Sequence, residues 1–214
     1  CRKQRNYYDD LASSSWQFDG DALWDEENEW IQLTSLDYFD SGSAFLTSQV
    51  INGGQVELGF SFYIGDGTGA DGIALTALDT TRMTGFMGGT GCGMGYGGNA
   101  DCVEPVAASG LPGWSIEIDT HFNEEQDPTA EDHIMFTFDG NLSEPAIWAS
   151  IPPIENTGWH QMQVQIDAPY VEVSIDGVAV IAEELEGHFE FLGFLGFTAG
   201  TGSMTNHHFV DDLY

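Results

Sequence analysis

The chain has 214 residues, of which 35 are Asp or Glu and only 4 are Lys or Arg, giving a formal net charge of −31. Nucleic acid and anionic membrane surfaces are recognised through Lys and Arg, so so acidic a chain excludes nucleic acid as a partner. With 13% aromatic residues the length suits one large all-β unit, and no apolar run approaches the roughly 18 residues of a membrane span, so no membrane insertion is expected.

Residues 1–14, opening C-R-K-Q-R-N-Y-Y-D-D-L-A, are polar, hold Arg2, Lys3 and Arg5, and read as a leader or linker. The organised unit is expected over 15–214, and the chain reads as a mature form or a module of a longer protein. From Trp16 to Thr47 aromatic and β-branched residues alternate with polar ones between Gly and Asp punctuation, which predicts short strands. The clearest strand follows, where Val56, Leu58, Phe60, Phe62 and Ile64 alternate with Glu57, Gly59, Ser61 and Tyr63. A G-D-G-T-G turn then leads into a second strand through Ala70-Asp71-Gly72-Ile73-Ala74-Leu75.

The stretch from Met87 to Gly98 is rich in glycine, but no helical pattern or basic residue follows to complete a phosphate cradle. Cys92 and Cys102 flank it at a spacing that permits a disulfide, which would imply an oxidising compartment; reduced thiols in a cytosolic protein are the alternative. Cys1 is left over, and an acylated lipoprotein cysteine, a partner in a part of the chain beyond residues 1–214 and a chain boundary all remain open for it.

The acidic run from Glu117 to His133 reads E-I-D-T-H-F-N-E-E-Q-D-P-T-A-E-D-H. Trp114, Ile116 and Ile118 alternate with Ser115, Glu117 and Asp119, so a strand would send both carboxylates to the face opposite the apolar residues. Two carboxylates set side by side are expected to hold a cation, with a merely solvated acidic loop as the alternative. Asn123, Asp127 and His133 add oxygens and one imidazole, a hard set suited to calcium and a second, nitrogen-tolerant ion. An EF-hand loop counted from Asp119 would need Gly and Glu where Glu124 and Ala130 stand, so that motif is rejected. The Glu-x-Asp core also resembles the catalytic signature of glycan-cleaving jelly rolls, yet His121 and Phe122 occupy the places where a second Glu would act as the acid.

Beyond the run, Asp139-Gly140 and Asp176-Gly177 are predicted hairpin turns, Trp159 to Ile166 alternates as a strand, and a short helix is expected at Ile181 to Leu185. His207-His208 and Asp211-Asp212 fit the start of a final strand better than a metal site. No internal repeat or composition break marks a second domain.

Taken together, four phrases in order resemble the legume-like (L-type) lectins of the concanavalin A-like superfamily: Ala70-Asp71-Gly72, the glycine-rich loop, the Glu117-x-Asp119 loop with Asn123, Asp127-Pro128 and His133, and Gly196-Phe197-Thr198-Ala199-x-Thr201-Gly202. Ser41 to Leu46 is similar to an early strand of the same family. The resemblance implies an antiparallel jelly-roll β-sandwich with Ca2+ held by Asp119, Asn123, Asp127 and the carbonyl of His121. A second divalent ion, Mn2+ or Ca2+, would be held by Glu117, Asp119, Asp127 and His133.

It further implies a cis peptide before Asp71, whose carboxylate accepts from sugar hydroxyls, and a backbone N–H donor at Cys92 between Gly91 and Gly93. Asn123 and the turn Thr201-Gly202-Ser203 would complete the sugar contacts. The family places Phe or Tyr where His121 stands, so His121 or Phe122 would cover the apolar sugar face. The implied function is calcium-dependent binding of a glycan or polysaccharide without turnover, outside the cell or on its surface, by a homo-oligomer or by one module of a larger surface protein. The rivals are a laminin-G-like module that binds protein through calcium, a sandwich whose metal is purely structural, and a glycan-cleaving enzyme of the same fold.

Overall fold

The computed structural model describes residues 15–98, 100, 102–104 and 108–214, so the expected leader at 1–14 lies outside the described residues, as do the side chains of Glu104 and Glu125. The strands in chain order are β1 (Trp16–Gly20), β2 (Leu23–Asp25), β3 (Trp30–Thr34), β4 (Ser41–Asn52), β5 (Gln55–Gly65), β6 (Gly72–Asp79), β7 (Thr90–Gly91) and β8 (Val103–Glu104). They continue as β9 (Gly113–Asp119), β10 (His133–Phe138), β11 (Ile147–Ser150), β12 (His160–Asp167), β13 (Tyr170–Ile175), β14 (Val178–Glu184), β15 (Leu192–Gly200) and β16 (His207–Asp211).

One layer runs β11-β10-β9-β6-β15-β4-β1, and the other runs β2-β3-β16-β5-β12-β13-β14, with antiparallel neighbours throughout. The two are joined where β4 turns into β5 through the single pair Asn52 and Gln55. The period-2 pattern of β5 sends Val56, Leu58, Phe60, Phe62 and Ile64 between the layers, where they meet Ile73, Leu75 and Ala77 of β6 and Trp114, Ile116 and Ile118 of β9. Each such side chain contributes about 1.5–3 kcal/mol by leaving water, so the alternation fixes which face of each strand turns inward.

The layer that runs from β11 to β1 is covered on its second face too. Phe45, Ala74 and Leu78 pack there against Cys92, Met94, Tyr96, Leu111 and Leu142, a smaller core built by the glycine-rich loop. Glycine lets that loop lie close: a Cβ on Gly97 would come within 2.8 Å of Leu142, and one on Gly88 within 2.5 Å of the Tyr96 backbone. All of β9 is therefore buried, and Glu117 and Asp119, opposite the apolar residues as expected, face this inner layer instead of solvent.

The short helix expected at Ile181 to Leu185 is not formed: Ile181 to Glu184 belong to strand β14. Residues of β14 pair with β13 from Tyr170–Glu184 to Ile175–Val178, with a register shift at Val173/Ser174, and Ile181 is buried in the main core. Cross-strand pairing overrides the weak helical preference of I-A-E-E-L. Asp176 (φ 51) and Gly177 (φ 79) make the tight turn of this hairpin. Asp139 (φ 55) and Gly140 (φ 62) adopt the same conformation, but β11 begins only at Ile147, so they open a longer loop.

Candidate functional site

The pairing of β9 with β10 sets Asp119 opposite His133 and Glu117 opposite Met135, placing both carboxylates and the imidazole on one face. One ligand atom from each of Glu117, Asp119 and His133 lies within 4.8 Å of the others. All three are almost fully buried. The Tyr96 hydroxyl donates to Glu117 Oε2, while Glu117 Oε1 and His133 Nε2 are buried without a hydrogen-bond partner. His133 Nδ1 lies 3.1 Å from the Glu131 carbonyl, an arrangement in which Nδ1–H donates and Nε2 keeps its lone pair for a cation.

Burial pushes the carboxyls of Glu117, Asp119 and Asp127 up and the His133 imidazole down. Like charge from Asp127 adds to the first two shifts, and the Tyr96 hydroxyl opposes that of Glu117. A buried anion without a partner is costly, so this set is suited to a cation. A small cavity of about 10 Å³ lies among Glu117, Asp119, Gln126, Asp127, Met135, Leu142 and the two half-cystines. The disulfide Cys92–Cys102 is formed beside it, with Cα atoms 5.7 Å apart.

The loop after β9 is folded by its own backbone amides. His121 N–H donates to Asp119 Oδ1 at 2.7 Å, and Asn123 N–H donates to Asp127 Oδ2. Asn123 stands at the N-cap of a 3-10 turn at Glu124–Gln126 yet makes no side-chain cap, and its buried Oδ1 has no partner. The oxygen that would normally satisfy the turn therefore remains free to accept from or coordinate another group. Phe122 is exposed and His121 half-buried on the rim of this loop.

Asp71 follows a cis peptide at Ala70–Asp71, as the resemblance implied. Its N–H donates to Gly200 O at 3.1 Å, and its carbonyl accepts from Thr120 N at 3.0 Å and Thr120 Oγ1 at 3.1 Å. Those bonds tie it at once to the end of β15 and to the acidic loop. Its carboxyl is buried with Oδ2 unpartnered, and burial followed by the charge of Asp127 pushes its pKa up to about 7.

A Cβ on Gly202 would lie 3.3 Å from Asp71 Oδ2 and 4.0 Å from Gly91 Cα, so three separate loops converge at that point. Gly91 adopts φ 63, a conformation that favours glycine. Cys92 and Gly93 are buried behind it, whereas Ser203 is exposed. Thr201 is fully buried and its groups are engaged: the hydroxyl accepts from Asp40 N at 2.9 Å and donates to Asp37 O at 2.9 Å, and its N–H donates to Asp40 O at 2.9 Å.

Three participants escape the sequence reading. Tyr96 holds Glu117, Thr120 holds Asp71, and residues 35–40 hold Thr201. A lone tyrosine inside M-G-G-T-G-C-G-M-G-Y-G-G was the available signal for the first. His207 and His208 lie on β16, as expected. His208 is buried with Nδ1 2.6 Å from the Thr34 hydroxyl, and burial, then the neighbouring His207, pushes its pKa down to about 3.

No protein-family model matches the sequence. Among solved structures, lectin II from Ulex europaeus is 18% identical, with 95% of this chain and 92% of that chain covered and a TM-score of 0.74. The VIP36 exoplasmic/lumenal domain in its Ca2+/Man2-bound form is 16% identical, covering 95% of this chain and 83% of that one, with a TM-score of 0.72. The lectin from Bauhinia forficata in complex with GalNAc is 18% identical, covering 97% and 94%, with a TM-score of 0.71. The chain has the L-type lectin fold. Ca2+ is present in the VIP36 structure, and the acidic cluster of this chain offers a cation the unpartnered atoms described above.

Proposed function

We propose that residues 15–214 form a calcium-dependent carbohydrate-binding module that acts without turnover. One observation carries the reading: Asp71, whose buried carboxyl Oδ2 lacks a partner at the convergence of Gly91 and Gly202, is bonded through its backbone carbonyl to Thr120, beside which Glu117 Oε1, Asn123 Oδ1 and His133 Nε2 are buried without partners. Asp119, Asn123, Asp127 and the His121 carbonyl would hold Ca2+, and Glu117, Asp119, Asp127 and His133 a second divalent ion, Mn2+ or Ca2+. Bound cations supply the positive charge that lets these carboxylates stay ionised and close together.

Asp71 accepts from two sugar hydroxyls, and the Asn123 amide and a backbone N–H at Cys92 add further bonds. Phe122 or His121 covers the apolar face of the ring, and Gly202 with Ser203 forms the opposite wall. Each neutral hydrogen bond contributes on the order of 1 kcal/mol, so a single site is weak and useful affinity comes from several sites together. That favours a homo-oligomer or one module of a larger surface protein facing glycans outside the cell. The neighbours of the same fold include structures with Man2 and GalNAc bound, which supports a sugar as the ligand class.

The test is Asp71→Asn on a glycan array with calcium present. Glycan binding is expected to fall at least about 50-fold, while the calcium Kd stays within about threefold. Unchanged glycan binding would overturn the reading.

A further inference from the structure

The connection between β3 and β4, residues 35–40, carries three large apolar side chains in the open: Leu36 is 40% exposed, Tyr38 64% and Phe39 61%. Exposed aromatic side chains lose contact with water only when a ligand covers them, and two adjacent ones in a chain of charge −31 form a pronounced apolar point on an acidic surface. Their backbone is fixed. Ser35 N and Oγ donate to Asp40 Oδ2 at 3.1 and 2.6 Å, and Asp37 N donates to Ser35 Oγ at 3.0 Å. Phe39 sits at φ 62, a left-handed conformation that a bulky side chain rarely adopts, and its N–H donates to Gly202 O at 3.2 Å.

Among the described residues, the outward hydrogen bonds of this loop run to Thr90, Thr201 and Gly202. Asp40 is bonded to Thr201 through both its amide and its carbonyl, at 2.9 Å each, and its carbonyl also accepts from Thr90 Oγ1 at 3.1 Å. Thr90 and Thr201 are the neighbours of Gly91 and Gly202. A single residue, Gly202, thus has its carbonyl on the Phe39 N–H, while a Cβ on it would lie 3.3 Å from Asp71 Oδ2. The backbone of Phe39 is one hydrogen bond from Gly202, and the exposed rings of Tyr38 and Phe39 are carried on the segment that borders the convergence of Asp71, Gly91 and Gly202.

Resting on the carbohydrate reading above, we propose that Tyr38 and Phe39 form an extension subsite that packs against the apolar face of the second sugar ring of an oligosaccharide and so make this chain prefer oligosaccharides over monosaccharides. The C–H-rich face of a pyranose is the apolar surface a sugar can offer such rings, and its hydroxyls remain free at the edge. Thr201 serves here as a positioning residue. Its buried hydroxyl ties the loop to the turn that faces Asp71, so the second-unit contact and the first-unit site keep a fixed spacing.

Calorimetry on the full chain in saturating calcium tests this with mannose, galactose and N-acetylgalactosamine, and with oligosaccharides that end in each. The variants are Tyr38→Ser and Phe39→Gly, the second chosen because glycine accepts φ 62 without strain. The expected result is an oligosaccharide affinity about tenfold lower in the double variant, with monosaccharide affinity within about twofold of the wild type. Equal loss for both ligand classes, or no loss for either, would overturn the extension subsite while leaving the carbohydrate reading standing. Absence of all sugar binding by the wild type would overturn both.

Discussion

Tyr96→Phe isolates one bond on which the acidic cluster depends. Tyr96 and Glu117 are both fully buried, the phenol donates to Glu117 Oε2, and Oε1 has no protein partner. Phe fills the same volume, so no cavity forms and only the hydrogen bond is lost. A hydrogen bond to a charged group contributes about 1.5–3 kcal/mol. At about 2–4 °C per kcal/mol for a chain of this size, the variant in saturating calcium is expected to melt roughly 3–12 °C lower. Partners that orient a metal-binding carboxylate also change ion affinity by about 10–100-fold, so the divalent-ion Kd is expected to weaken within that range. Scanning calorimetry and ion titration by isothermal calorimetry read the two effects. A variant with unchanged melting temperature and unchanged ion Kd would refute the reasoning that Tyr96 holds Glu117 for the cation.

Two further outcomes follow from the same packing. Gly202→Val places a side chain against the Asp71 carboxylate and Gly91, and is expected to abolish glycan binding with melting unchanged within about 3 °C, because the position is only half-buried. A second experiment concerns His208, whose folded pKa of about 3 lies below its unfolded value of about 6.5, so its contribution is complete above the unfolded value and is lost as pH falls from there towards 3. At pH 5 the loss is roughly 2 kcal/mol relative to pH 8, and His208→Asn, which can keep a partner for the Thr34 hydroxyl, is expected to remove about that much of the acid sensitivity in urea titrations. An identical pH dependence in the variant would contradict the assignment.

Much of the sandwich was legible because its strands obey period 2. Val56 to Ile64 and Trp114 to Ile118 state their inner faces outright, and the same alternation put Glu117 and Asp119 on a common side. What the alternation could not state is what covers that side. The burial of both carboxylates follows from a glycine-rich loop that folds back over the sheet and brings Tyr96 to Glu117 across 21 residues of sequence. Ile181 to Leu185 misled because five residues of mixed preference carry too little local signal, and pairing with β13 decides their conformation. Thr201 was visible as a turn residue, but its engagement with Asp37 and Asp40 is a contact between loops some 160 positions apart, such as no local pattern encodes. Tyr38 and Phe39 fall within the Trp16–Thr47 stretch read only as short strands, and the place of Phe39 beside Gly202 emerges only from the fold.

The central claim is that divalent cations hold the Glu117–His133 loop in the form that lets Asp71 receive a sugar. The most direct measurement is glycan binding of one protein sample before chelation, after EDTA treatment and dialysis, and after calcium is returned, with metal content determined at each step. Binding that disappears with the metal and returns with calcium is the predicted result. Glycan binding of equal strength in a sample shown to be metal-free would contradict it.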